Sequence, residues 1–220
     1  VEAAEKISNP RIEKDSSMVS GQNVTWDCVW FGSYPQNEIV RQGSSQETIL
    51  KDMKKKCNID YTVVDDNTFH SIESASYNKN GDAIVNGKKY RRINASDVTA
   101  RLNDIEYCNG LYNWNNDYSS YHYFEYQKIK WRVLEVKNNH ALLLSDIMLD
   151  DQEYNKDCIG DITWKTSTMR SWLNGYAASE NGGDINYQNK NFINTAFSTE
   201  QKNAINTLTK NGISDKISLL

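Results

Sequence analysis

The sequence lacks every common catalytic signature. It has no G-x-S-x-G, no H-E-x-x-H, no glycine-rich phosphate loop and no C-x-x-C pair. Histidine is scarce, and His70, His122 and His140 stand apart without an orienting carboxylate near them in sequence. Ser76-Tyr77-Asn78-Lys79 fits S-x-x-K, but it falls in an expected loop rather than opening a helix. No apolar run approaches the roughly 20 residues that span a bilayer. The net charge of −4 argues against a general polyanion binder, and so against nucleic acid as a partner. Cys28, Cys57, Cys108 and Cys158 are too widely spaced for a metal site. They read as free buried thiols or as one or more disulfides, and four cysteines permit three pairings. These absences favour a protein that is not an enzyme.

Aromatic residues are abundant instead, with 13 Tyr and 6 Trp among 220 residues. The stretch Tyr121–Asp146 organises the rest. Ile129, Trp131 and Val133 alternate with Lys128, Lys130 and Arg132, the period of a strand with one buried face. Asn138-Asn139 tolerates left-handed backbone, and the apolar run Ala141–Leu144 returns as a strand expected to be central. Tyr126–Val136 and Ala141–Ser145 are therefore predicted to pair antiparallel, with Trp131 buried.

Residues Val1–Gln22 lack periodicity and read as an extended arm. A single α+β domain follows over 23–220, with an inserted, loop-rich region at about 58–125. Trp26, Cys28 and Trp30 share one face of a core strand that Gly32 and Pro35 are expected to end in a turn. Ser44 and Glu47 form a capping box ahead of a helix over Ser45–Lys56, whose lysine-rich last turn suits the helix dipole. Tyr61–Val64 is a short strand. Asn86-Gly87 joins Ala83–Val85 to Lys88–Ile93 as an edge hairpin, with a second short helix near Ser96–Asn103. Thr166 caps a helix that reaches Asn174 before Gly175. A second capping box, Ser198 with Gln201, opens a helix over Thr199–Leu208 that Asn211-Gly212 ends. Ile213–Leu220 begins a new strand.

Two stretches carry ligand chemistry. Tyr107–Tyr126 mixes rings with asparagines, which pairs rigid contact area with adaptable hydrogen bonds. Tyr112, Trp114, Asn115, Asn116 and Tyr118 form the candidate contact surface for a glycan or protein, or fold inward as a satellite core. In the acidic stretch Asp146–Asp161, Asp150, Asp151 and Asp157 are the calcium candidates, although the EF-hand spacing is absent. Calcium is thus the one cofactor considered.

Several segments in order resemble an uncharacterised domain family of secreted and cell-surface proteins from clostridia and related gut Firmicutes. They are Trp26–Gln36 with its Phe-Gly-Ser-Tyr-Pro-Gln core, Gly87–Arg92, Tyr121–Phe124, Ile129–Leu134, Leu149-Asp150, Tyr154-Asn155, Thr163-Trp164, Arg170–Asn174 and Ala196–Ser198. The resemblance implies an α+β fold with an antiparallel sheet and short packed helices, distantly like the C-type-lectin-like and formylglycine-generating-enzyme-like folds. It implies an extracellular or cell-surface location after removal of a signal peptide. Members continue past the position of Leu220 into further strands, so the chain is expected to be C-terminally truncated, with those missing strands as partners. A non-catalytic recognition module for a glycan or a host or bacterial surface protein is the leading expectation. A spacer domain, or an enzyme related to the formylglycine-generating fold, is the alternative.

Overall fold

The computed structural model describes residues 6–57, 60–94, 119–150, 152–157 and 160–218. It is an α+β fold in which one mixed sheet carries short helices on both faces. The strands are β1 (Arg11–Lys14), β2 (Gln22–Thr25), β3 (Cys28–Arg41), β4 (Tyr61–Val64), β5 (Asp82–Val85), β6 (Lys88–Ile93), β7 (His122–Lys137), β8 (His140–Ser145), β9 (Leu208–Lys210) and β10 (Ile213–Asp215). The helices are α1 (Ser45–Cys57), α2 (Asp66–Glu73), α3 (Thr168–Asn174), α4 (Phe192–Ala196) and α5 (Thr199–Ala204). The main sheet runs β4-β3-β7-β6-β5, with β8 also alongside β7, and among the described strands only β3 and β4 pair in parallel. Helix α1 makes the crossover that a parallel pair requires.

As expected, β7 and β8 are antiparallel neighbours, paired from Trp131↔Ser145 to Lys137↔His140 with one register shift between Val133 and Glu135. Ile129 and Val133 are fully buried. Trp131 faces the same core but is half-buried, its Nε1 donating to the Phe31 carbonyl at 2.7 Å. The apolar run of β8 is not central: among the described residues it pairs with β7 alone and stays half-exposed.

Strand β3 corrects the expectation of a turn at Gly32 and Pro35. The chain passes through both with register shifts at Trp30/Ser33 and Pro35/Asn37, and continues to Arg41. Such bulges bend a strand without ending it. Pro35 is tolerated because the first half of β3 has β7 on one side and no described strand on the other. Gly32, at φ 74°, lies under α4: a Cβ there would stand 2.6 Å from the Phe197 ring and 2.7 Å from the Ala196 carbonyl.

Three clusters fill the core. Tyr34, Ile129, Leu173, Phe192, Ile193 and Phe197 bind the C-terminal helices to β3 and β7, with Trp172, Ile205 and Ile217 packed around them. Ile39, Ile72, Tyr90 and Tyr123 seat α2, and Val40, Leu50 and Met53 seat α1. Alternation along β3 sends Ile39 and Val40 to opposite faces, so α1 and α2 lie on opposite sides of the sheet.

Local signals placed most helix starts. Glu47 N–H donates to Ser44 Oγ at 3.1 Å, while the Glu47 carboxylate takes the N–H of Gly43 at 2.6 Å, one residue earlier than a capping box requires. Ser167, not Thr166, caps α3, and Gly175 ends it at φ 72°. The Ser198–Gln201 box is reciprocal as expected, at 3.2 and 3.0 Å, but α5 stops at Ala204. Leu208 belongs to a hairpin whose turn is Asn211-Gly212, with φ of 52° and 75°. The N-terminal arm likewise holds a hairpin, β1 with β2, tied down where Ser8 and Arg11 meet the Asp27 carboxylate. Helix α2, capped by Asp65 accepting from Thr68 N–H at 2.8 Å, had not been expected. It lies within 58–125, whose described residues also hold β4, β5 and β6.

Candidate functional site

A groove of about 1550 Å³ runs along the sheet and reaches the C-terminal helices. Its sheet wall is built around Asp82 on β5. The Asn86-Gly87 turn fixes Asp82 opposite Arg91, whose Nε and Nη2 donate to the two carboxylate oxygens at 2.8 and 3.0 Å. Tyr126 OH donates to the same carboxylate at 2.9 Å, and Lys89 Nζ lies 3.3 Å from it and 4.0 Å from the Tyr126 ring centre. Two cations thus share one buried acid, leaving a positive surplus on this wall. Arg91 and Arg92 both line the groove, and on the other face of β6 the Arg92 guanidinium stacks between Tyr77 and Tyr121 at 4.7 and 4.5 Å.

Further along, Tyr34 OH donates to Asp150, which also accepts from Gln152 Nε2 at 3.0 Å. Burial, reinforced by the Asp150 charge, pushes the Tyr34 hydroxyl far above its ordinary range. Burial does the same to Tyr126, against the opposing pull of Arg91. Both phenols are donors at neutral pH. Gln36, in the second bulge of β3, donates to the Gln127 carbonyl at 3.0 Å. Glu38, also lining the groove, meets His122 Nδ1 at 2.6 Å, a carboxylate brought from 84 residues away. The opposite wall carries Trp172, Tyr187 and Asn191. Asn191 is held by its own fold: its amide donates to the Tyr187 carbonyl at 2.6 Å and caps α4.

The face of Trp26, Cys28 and Trp30 is not a core face. Trp30 is 62% exposed and Trp26 36%, and Cys28 is an exposed free thiol rather than a buried one. The C-terminal helices occupy the side carrying Ile129 and Val133, so these residues point the other way, and Trp30 lines the groove. By register Trp30 lies opposite Lys130 and Cys28 opposite Arg132, a row of charges that no core accepts.

The candidate contact residues Tyr112, Trp114, Asn115, Asn116 and Tyr118 lie outside the described residues, as does Asp151. Asp150 and Asp157 are exposed, Asp150 engaged as above and Asp157 on the neighbouring loop. Among the described residues no three His, Cys, Asp or Glu side chains gather in a way that could hold a metal ion. No described helix is long and apolar enough to cross a membrane.

Below the groove, Asp215 on β10 is 3% exposed and fully occupied. Arg170 Nε donates to its two oxygens at 2.9 and 3.0 Å, Trp164 Nε1 at 3.0 Å and Tyr176 OH at 2.8 Å. Arg170 Nη1 donates to the Lys165 carbonyl at 3.0 Å. This cluster locks the last strand to α3. Residues 138–217 match the model of a domain of unknown function, DUF6273. The matched segment spans β8 to β10 and contains every member of the Asp215 cluster. No curated protein and no solved structure matches the chain.

Proposed function

We propose that the chain is a non-catalytic recognition module of a secreted or cell-surface protein, built on a C-type-lectin-like or related α+β frame, and that its groove binds a glycan or a protein. The observation that carries this reading is the groove's lining. Aromatic walls with a few fixed polar groups are the usual make-up of a recognition site. Here Trp30 and Trp172 offer flat apolar faces, while Gln36, Arg91, Tyr126 and Tyr34 are each held by a second group. Preorganised polar groups lower the cost of ordering on binding, Arg91 as a donor and the two phenol oxygens, whose protons are already given to Asp150 and Asp82, as acceptors. Their hydroxyl, amide and guanidinium chemistry matches ligands dense in oxygen.

The test is a screen of the full chain on glycan and protein arrays, with each hit confirmed in solution. A hit competed away by free ligand, and weakened in Arg91→Lys, is the expected result. A protein that binds nothing on either array, or whose hits are indifferent to groove substitutions, would refute the assignment.

A further inference from the structure

The outer face of the sheet holds two parallel rows. Cys28 and Trp30 on β3 point outward, and Trp26, just ahead of the strand, lies beside the same row. On β7, Arg132 lies opposite Cys28, Lys130 opposite Trp30 and Lys128 opposite Ser33. The Arg132 guanidinium lies 5.4 Å from the Trp26 ring centre. Asp146 pairs with both Arg132 Nε, at 2.5 Å, and Lys130 Nζ, at 3.3 Å. Lys128 is exposed and has no acidic partner among the described residues. Three cations against one acid leave the row locally positive on a chain whose net charge is −4.

We infer that this strip, Trp26 and Trp30 beside Lys128, Lys130 and Arg132, is the docking surface for an acidic polysaccharide, a polymer whose sugar rings carry carboxylate or sulfate. The inference rests on the glycan half of the recognition reading and names its ligand class. Solvent-facing tryptophans on a rigid strand are unusual unless something covers them. Flat indole faces suit the C–H faces of pyranose rings, and a parallel row of cations meets anionic substituents along an extended chain. A nucleic acid would use the same two interactions. It carries a charge on every nucleotide and calls for a broader positive field than a three-cation row with an acid in its middle.

The experiment is affinity electrophoresis of the full chain through gels containing polygalacturonate, alginate, hyaluronate or heparin. Each polymer is paired with its methyl-esterified or desulfated form. Retention by at least one acidic polymer, and loss of that retention on neutralising the polymer or adding salt, is expected. Trp30→Ala should weaken the interaction roughly thirtyfold, the loss seen when a central tryptophan is truncated. Lys128→Gln should cost roughly threefold, as a rim charge does. On the unsubstituted protein, bound polymer should shield Cys28 from a maleimide, read by peptide mass spectrometry. Equal retention by acidic and neutralised forms would overturn the charge requirement while leaving glycan recognition standing. Retention that survives Trp30→Ala, or an unshielded Cys28, would overturn the strip as the site. Tighter binding to a single-stranded oligonucleotide would overturn the ligand class. No retention on any of the four overturns the inference outright, and array hits would then show whether recognition itself survives.

Discussion

Two carboxylates in this protein are held by almost the same partners in different surroundings. Asp215 and Asp82 each accept from an arginine and a tyrosine at hydrogen-bonding distance. Asp215 adds a neutral indole, matches one cation to one anion and sits sealed between α3 and β10. Asp82 adds a second cation, Lys89, and borders the groove. The first arrangement is balanced and closed, which makes it a pin for the C-terminal segment. The second leaves positive charge beside the groove. Carboxylate, guanidinium and phenol suit either arrangement, and balance and access distinguish the two.

Alkali should erase the distinction altogether. Tyr176 is pushed up to about 12, first by burial and then by its hydrogen bond to Asp215 and that residue's charge. Tyr126 and Tyr34 are raised further. A raised phenol stabilises the fold fully below its unfolded value near 10, and that contribution is lost as pH climbs through the folded value. Stability should therefore fall from about pH 10 upward and collapse around pH 12. The part of the phenolate absorbance that belongs to the buried tyrosines should appear together with the loss of circular dichroism. Titration of Tyr34, Tyr126 or Tyr176 itself near pH 10 with the fold intact, followed by its ring NMR resonances, would contradict the burial of these rings.

Asp215→Ala strands Arg170 as an uncompensated buried charge and should cost roughly 3–5 kcal/mol, measured by urea unfolding. Asp82→Ala should cost less, about 1–3 kcal/mol, because Arg91 and Lys89 can turn toward solvent in the groove. Equal losses at the two sites would break the comparison. Tyr34→Phe, which removes one hydroxyl from the Asp150 carboxylate and keeps the ring packing on Phe192, should cost about 1 kcal/mol. A much larger loss would mean that Asp150 belongs to the closed kind of cluster.

The two carboxylates also differ in how far they could be read in advance. Asp82 and Arg91 are nine residues apart across an Asn-Gly turn, and the turn type sets the register that makes them partners. The hairpin was legible from Ala83 onward, and its register extends by one residue to this pair. Arg170 and Asp215 are 45 residues apart, and nothing in either neighbourhood names the other. The same Asn-Gly signal misled at Asn211-Gly212. A capping box upstream made the dipeptide look like a helix end, whereas α5 stops after Ala204 and the dipeptide turns a hairpin.

Local chemistry alone settled the Asn86-Gly87 and Asn138-Asn139 turns, the starts of α1 and α5, and the alternation along β7. Each depends on backbone dihedrals or on hydrogen bonds spanning a few residues, and every interaction needed is carried within the segment. Burial was decided elsewhere. Alternation puts Trp30 and Lys130 on one face of β3 and β7, and Val29 and Trp131 on the other, but it does not say which face meets the core. Ile129 and Val133 already favoured one side, yet Trp26 and Trp30 taken alone favoured the opposite one. The choice was made by Phe192, Ile193 and Phe197, which bring α4 down onto Gly32 from a segment about 160 residues further along the chain. A face becomes interior only when another element covers it, and that is a property of the tertiary structure.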